Sequence, residues 1–439
     1  MTTLPAGRTS AVALPAFRRL WLSNTADAWA VSLLPIAVSL ALIHGGGGAA
    51  ALGPVLAAKT LGFIIATVPG GMLADRRSRR TTMVTACLAR TGAAGALLLT
   101  LDGPSWLAAG CVLLVGAGEG AYRPSYQAMI GDVVPEAARQ SANALSTITF
   151  RLALVLAPAA ATAGTLWAGP RAVVVLAAVL WCLAALTVSR VPENPAGSCG
   201  TPAPDRWRHA QKASHAPISD ERVSQSVLGQ FADGVREARR HPWFMAGLAM
   251  LTLVLSVGEA TQLVLLPVIS NDRFGTDAVY AAALTGYAVG ALAGGVVMTR
   301  WRPRRQGLVA VLGLALYAGI PFALAFSASA WPVVAAYVLA GAGMELFNVP
   351  WFGAVQREVP AGLRARVSAL DFLVSYSLSP LGLALVPIAV TALGTQPTLT
   401  GTGVIVLLAC TGTLAVPGMT GFRTPASGAD RPKSAAAEP

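Results

Sequence analysis

The chain has 439 residues, of which 54% are hydrophobic and 12% are charged, and its mean hydropathy is +0.61. Soluble proteins carry about 25% charged residues, so this composition excludes a soluble globular protein and indicates a polytopic membrane protein. The net charge of +12 is typical of nucleic-acid-binding proteins. Here, however, the Lys and Arg residues lie mainly between alternate apolar segments, which is a topology signal, and we expect no nucleic-acid partner.

Twelve apolar runs follow one another along the chain, each long enough for the about 20 residues that a membrane-spanning helix needs. They are 20–43, 50–73, 81–101, 106–130, 142–166, 172–191, 243–269, 278–298, 307–326, 331–352, 367–393 and 399–419. The even number of runs and the basic alternate loops predict a plasma (inner) membrane protein with both termini in the cytoplasm.

The runs divide into two groups of six, which predicts five segments. We expect a cytoplasmic N-terminal segment (1–19), a six-helix bundle (20–191), a cytoplasmic linker (192–242), a second six-helix bundle (243–422) and a disordered tail (423–439). The linker begins rich in proline, which is typical of a flexible connection. Near 224–240 it becomes amphipathic, which fits either a helix on the inner membrane face or a solvated helix that joins the halves.

The two groups of runs repeat each other. Leu34-Pro35 in run one corresponds to Leu266-Pro267 in run seven, and 116–118 (G-A-G) in run four corresponds to 341–343 (G-A-G) in run ten. The similar distance along the chain between corresponding positions indicates one six-helix unit used twice in the same orientation. Such parallel halves are typical of carriers in which one half rocks against the other around a midplane site.

Four acidic residues within the runs occupy two repeat-related positions. Asp27 and Glu259 each lie eight residues before a proline, in runs one and seven. Glu119 and Glu345 each lie five residues before a proline, in runs four and ten. An ionisable group inside a span costs several kcal/mol unless it faces water or a partner, so these acids are candidates for proton coupling or substrate binding.

Their neighbours on the same helices distinguish the four acids. Arg123 lies four residues beyond Glu119, so this pair either takes part in transport or only neutralises itself and holds the bundle together. Glu259 and Glu345 have no basic residue within one turn, which favours a proton-linked or substrate-binding role. Gln262 and Asn348 lie three residues beyond these two acids and extend the polar surface.

Aromatic residues near these positions are candidates for stacking against a ligand, although aromatics at helical spacing are usually plain packing. They are Trp29, Tyr122, Tyr126, Phe347 and Trp351. No nucleophile with a base, no metal-binding spacing and no nucleotide-binding loop emerges, so we expect neither an enzyme nor a cofactor or metal.

The loop between runs two and three has the sequence G-M-L-A-D-R-R-S-R-R at 71–80. It resembles the loop G-x-L-A-D-R-x-G-R-R of the major facilitator superfamily, with Ser78 in place of a glycine. The resemblance implies an all-α membrane protein with about twelve transmembrane helices in two pseudo-symmetric six-helix bundles around a central cavity. It also implies that runs one, four, seven and ten line that cavity. The predicted inner gate comprises Gly71, Asp75, Arg76, Arg79, Arg80, Arg151 and Asp371, the last paired with Arg364 or Arg366.

Two further segments resemble a narrower group, the twelve-span exporters of drugs, macrolides and siderophores. They are 135–145, with the pattern P-x-x-x-R-x-x-A-N-A-L, and 359–370, with V-P-x-x-L-R-A-R-V-S-A-L. This likeness implies proton-coupled export of an amphipathic small molecule by a monomer surrounded by membrane lipid. Segment 156–161 lacks the glycines of the antiporter signature G-P-x-x-G-G, which leaves the direction of coupling open. Uptake of a metabolite, or a non-transporting sensor or scaffold that binds a partner through the linker, are the alternatives.

Overall fold

The structure is a computed structural model that describes residues 11–76, 78–192, 235–301, 303–360 and 363–422. Throughout these ranges the secondary structure is helical, and they contain no β-strand. The predicted N-terminal segment is therefore described only from 11 onwards. The predicted amphipathic helix near 224–240 lies outside the described residues except for 235–240, and the tail from 423 lies outside them entirely.

The first half of the chain forms five continuous helices that contain the first six runs. They are α1 (Pro15–His44), α2 (Gly48–Arg76), α3 (Arg79–Thr100), α4 (Ser105–Val133) and α5 (Glu136–Ser189). Helix α5 contains both run five and run six. Its backbone turns at Gly169, where φ is 82° and ψ is 161°, a conformation that a residue without a Cβ adopts readily.

The second half contains the remaining six runs in nine helices, because several runs are interrupted. The helices are α6 (Pro242–Leu253), α7 (Ala260–Phe274), α8 (Ala278–Arg300), α9 (Gln306–Ala315), α10 (Gly319–Phe326), α11 (Ala330–Glu358), α12 (Arg364–Ser377), α13 (Ser379–Leu393) and α14 (Thr395–Thr413). A π-helical turn (Val254–Glu259) joins α6 to α7, and a 3-10 turn (Leu316–Ala318) joins α9 to α10. Nine helical stretches of the described chain are long and apolar enough to cross a membrane.

The repeat seen in the sequence is also present in the helix packing. Helix α2 packs against α4 in the first half, and α8 packs against α11 in the second. Both contacts depend on glycine: a Cβ on Gly116 would lie 2.0 Å from the carbonyl oxygen of Lys59, and one on Gly341 would lie 2.0 Å from that of Tyr287. Such close backbone approach is how apolar helices associate in a membrane, where burial of apolar surface provides little driving force.

The halves meet on the side away from the chain termini. There α2 contacts α13 and α5 contacts α8. A Cβ on Gly53 would lie 2.5 Å from Cγ of Pro387, and His44 Nε2 at the end of α1 lies 3.1 Å from Asp277 Oδ2 at the start of α8. A cavity lies between the halves, and lining residues such as Asn24, Gln127 and Ser146 come from the terminal-side parts of α1, α4 and α5.

Gly290 tests the role of these glycine contacts. A Cβ at this position would lie 1.9 Å from the carbonyl oxygen of Val338, so Gly290→Ala must push α8 away from α11. We expect the free energy of unfolding to fall by about 1–3 kcal/mol. The measurement is thermal unfolding of the purified protein in detergent.

Gly295→Ala is the matched control, since Gly295 lies on the same helix and a Cβ there would meet no atom within 4 Å. It should leave the unfolding temperature unchanged or raise it slightly, because alanine favours a helix. Equal effects of the two substitutions would contradict the close-contact explanation.

Candidate functional site

The cavity between the halves has a volume of about 750 Å³. Its walls come from α1, α4 and α5 of the first half and from α6, the π-helical turn, α8, α11 and α12 of the second. Its polar and charged lining includes Asn24, Arg123, Gln127, Arg151, Glu259, Glu345, Asn348 and Asp371. The volume lies within the range of about 300–1,000 Å³ that is usual for small-molecule sites.

Glu259 lies in the cavity wall at the end of the π-helical turn. Its carboxyl group is partly buried, and no ion pair or hydrogen bond links its side chain to any of the described residues. A π-helical turn inserts one extra residue into a helix, and such turns are frequent at functional sites. The structure therefore brings an uncompensated carboxyl group to the cavity at the position predicted from the repeat.

Glu345 also lines the cavity, but it has a partner from the other half. Its Oε1 atom lies 3.1 Å from NH1 of Arg151 on α5, so the two halves are joined by an ion pair across the cavity. The sequence predicted Glu345 without a nearby cation and Arg151 as part of the inner gate. In the structure both residues line the cavity and pair with each other.

Glu119 is buried between two cations. Its Oε2 atom accepts a hydrogen bond of 2.9 Å from Lys59 on α2, and its Oε1 atom lies 3.0 Å from NH2 of Arg123. Arg123 extends from this cluster to the cavity, where its side chain is 45% exposed. The i,i+4 contact anticipated from the sequence is present, but Lys59 shares the same carboxylate and leaves one positive charge in excess.

Asp27 is placed elsewhere, inside the first half. Its Oδ1 atom lies 2.5 Å from NH1 of Arg90 and also accepts a hydrogen bond of 3.1 Å from Trp181. Arg90 is completely buried, with its guanidinium group over the rings of Tyr122 and Trp181. Asp27 does not line the cavity described above. Its position therefore does not support the predicted role in proton coupling or substrate binding, because its carboxylate is paired with the buried Arg90.

Two further predicted residues differ in their surroundings. Gln262 is buried in α7, where its side-chain amide donates a hydrogen bond to the hydroxyl of Tyr317, and it is not part of the described cavity lining. Asp371 lines the cavity, and its Oδ2 atom accepts a hydrogen bond of 3.1 Å from the indole of Trp351. The side chains of Arg364 and Arg366, predicted as partners of Asp371, lie outside the described residues.

The five aromatic candidates do not share one position. Tyr126 lines the cavity, and its ring stacks on Tyr122 with 6.2 Å between centroids. Trp29 packs against the hydrophobic core. Phe347 and Trp351 stack with 5.3 Å between centroids in an aromatic cluster behind the cavity wall. Packing therefore accounts for most of these residues, and only Tyr126 is in position to contact a ligand.

The predicted inner gate is described in part. Arg79 donates a hydrogen bond of 2.5 Å to Asp132 at the end of α4, and Arg80 donates one of 3.3 Å to the carbonyl oxygen of Val191. These contacts link α3 to the terminal-side ends of α4 and α5. The surroundings of Gly71 and the side chains of Asp75 and Arg76 lie outside the described residues.

Several lining residues were missed from the sequence, among them Asn24, Gln127, Tyr287 and Tyr376. A single uncharged polar residue in an apolar run carries no signal of its own, since such residues occur on packed and on exposed faces alike. Only the rotation of each helix about its axis reveals that these side chains point to the cavity.

Apolar helices in two repeated halves around a polar cavity define a membrane carrier. The family model of the Major Facilitator Superfamily matches residues 20–383, and the chain belongs to this family. This confirms the predicted all-α fold with two six-helix bundles. A relative is the uncharacterised MFS-type transporter YvqJ of Bacillus subtilis (strain 168), 23% identical over 314 residues, which are 71% of this chain and 70% of the relative.

Solved structures with the same fold include three transporters of different substrates. The peptide transporter POT in complex with alafosfalin has a TM-score of 0.69 at 15% identity, covering 94% of this chain and 96% of that one. The D-xylose-proton symporter has a TM-score of 0.67 at 15% identity, covering 94% and 99%. The nucleoside transporter NupG has a TM-score of 0.64 at 12% identity, covering 91% and 98%.

Asp27 and Glu259, which the repeat relates, should respond differently to neutralisation. Asp27→Asn leaves the charge of Arg90 buried without a counter-charge, and we expect the free energy of unfolding to fall by about 3–5 kcal/mol. Glu259→Gln removes a charge that has no cationic partner among the described residues, so stability should be unchanged or higher. Thermal unfolding and the yield of monodisperse protein measure both effects. Equal stability of the two variants would contradict a structural role for Asp27.

Proposed function

We propose that this protein is a proton-coupled secondary transporter that exports an amphipathic small molecule by alternating access. The observation that supports this best is Glu259, a carboxyl group in the cavity wall for which the described part of the chain offers no cationic partner. In a protein embedded in lipid such a group is costly unless it exchanges a proton or a ligand with the cavity water.

The arrangement of the halves supports alternating access. The cavity opens towards the termini, which the distribution of Lys and Arg assigns to the cytoplasm. On the opposite side, the contacts between α2 and α13 and between α5 and α8 close the path. Opening that side requires these helix contacts and the contact between His44 and Asp277 to separate, while the cavity closes on the cytoplasmic side.

Competition at Glu259 provides the coupling. A buried carboxyl group is stabilised either by a proton or by a cationic group of the ligand, but not by both at once. In the inward-open state the ligand displaces the proton, which leaves to the cytoplasm. In the outward-open state, a proton from outside binds to Glu259 and releases the ligand, and the carrier then returns to the inward-open state.

The ion pair between Arg151 and Glu345 connects this chemistry to the movement of the halves. It is formed by one residue from each half, 3.1 Å apart, and Arg151 is half-exposed to the cavity. Protonation of Glu345 removes its charge and weakens the attraction between the halves. The two acids therefore act at different steps: Glu259 exchanges proton and ligand, and Glu345 adjusts the position of the halves.

Export rests on the resemblance of 135–145 and 359–370 to exporters, and the same geometry is compatible with uptake. Similar folds include the D-xylose-proton symporter. A proton and a substrate that share one acid favour exchange in opposite directions, whereas symport needs separate sites for them. A panel of amphipathic compounds, tested for altered toxicity in cells that overproduce the protein, identifies a substrate and its direction.

Neutralising Glu259 or Glu345 should strongly reduce transport driven by a pH gradient. We expect Glu259→Gln and Glu345→Gln each to reduce this transport at least about 10-fold, the effect of losing one interaction of about 1.4 kcal/mol. The measurement is accumulation of a compound from the panel in everted membrane vesicles with an acidic interior.

Asp102→Asn serves as the control, because Asp102 pairs with Arg171 at an exposed site on the side opposite the termini. It should transport at the rate of the unaltered protein. Full pH-driven transport by both Gln variants would refute the proposed coupling, and accumulation that follows only the substrate gradient would favour facilitated uptake.

A further inference from the structure

The cavity walls carry opposite charges. Four cations lie in the interior of the apolar runs, and all belong to the first half: Lys59, Arg90, Arg123 and Arg151. Arg190 lies at the end of run six, and runs seven to twelve contain no Lys or Arg. Two of these cations, Arg123 and Arg151, line the cavity. The acids of the cavity lining, Glu259, Glu345 and Asp371, all belong to the second half. The site is therefore polarised from one half to the other.

Pairing does not cancel this polarity. Arg151 and Glu345 neutralise each other. In the first half, the single negative charge of Glu119 pairs with the two positive charges of Lys59 and Arg123, so one positive charge remains in excess. In the second half, Glu259 and Asp371 face the cavity, and neither has an ion-pair partner in the part of the chain that the structure describes.

Arg123 is held in a position suited to binding an anion. Its guanidinium group lies over the rings of Phe63 and Phe150, 5.7 and 5.2 Å from their centroids, and NH2 contacts Glu119. Of its nitrogen atoms, NH2 is the one in contact with Glu119. A guanidinium group can bind a carboxylate through further N–H groups along its edges, and stacking on aromatic rings limits its movement.

Building on the proposed transport function, we propose that the substrate is dipolar, with an amine that binds Glu259 and a carboxylate that binds Arg123. Arg123 and Glu259 line the same cavity, one from each half, so a ligand that fills it can contact both. The apolar body of such a ligand would lie against Phe150 and Phe352, which also line the cavity. A cavity of about 750 Å³ accommodates a molecule with one or two aromatic rings.

Three compounds with one skeleton test the dipolar recognition. They are an aminomethyl-biphenyl-carboxylic acid, its methyl ester, which keeps only the positive charge, and its N-acetyl derivative, which keeps only the negative charge. Equilibrium binding is measured on the full-length protein in lipid nanodiscs without a pH gradient. We expect the amino acid to bind at least about 10-fold more tightly than either derivative, the usual effect of one charged hydrogen bond.

Substitutions assign each end of the ligand. Arg123→Gln should remove the advantage of the amino acid over the ester, and Glu259→Gln should remove its advantage over the N-acetyl derivative. Arg123→Lys keeps the charge without the planar fork and should retain a smaller preference for the amino acid. Arg171→Gln, at an exposed ion pair far from the cavity, should leave all three affinities unchanged.

The proposal is overturned if the ester binds the unaltered protein as tightly as the amino acid, if the amino acid does not bind, or if Arg123→Gln weakens all three compounds equally. Binding is measured without a gradient, so the result is independent of proton coupling. Selective binding together with a failure of pH-driven transport would retain the substrate class and refute only the coupling.

Discussion

A charge inside the apolar part of a membrane protein is tolerated only beside an opposite charge or water, and this constraint organises the interior of this molecule. Each half-buried or buried cation of the spans is matched to an acid: Arg90 with Asp27, Lys59 and Arg123 with Glu119, and Arg151 with Glu345. Three of these four contacts hold the first half together, and the fourth connects the halves. Glu259 differs from all of them, since water in the cavity is what can stabilise its charge.

The fold was predictable because its signals are local. Apolar runs, basic alternate loops and the repeated spacing of acids and prolines identify twelve spans in two halves without any knowledge of contacts. The partners of the acids were not predictable. Asp27 and Arg90 are 63 positions apart, and Glu345 and Arg151 are 194 apart. Which residues meet depends on the tilt and rotation of whole helices, and spacing along one helix does not determine either.

The two halves keep acidic residues at corresponding positions, but the surroundings of these residues differ. Asp27 and Glu259 correspond in the repeat, yet one is enclosed by Arg90 and Trp181 and the other faces the cavity. Run three of the first half supplies Arg90, whereas run nine, its counterpart, contains no charged residue. The carboxyl group of the second half therefore lacks the internal cation that stabilises the first.

The π-helical turn that ends at Glu259 has a consequence for movement. An extra residue in a helix can migrate along it by exchanging one backbone hydrogen bond for the next, and the intervening residues then rotate about the axis by about 100°, one residue's share of a turn. If the π-helical turn moved along the chain by one residue, the carboxyl group of Glu259 would point in a different direction while α6 and α7 stayed folded. Rotation of this backbone segment would then expose Glu259 first to one compartment and then to the other.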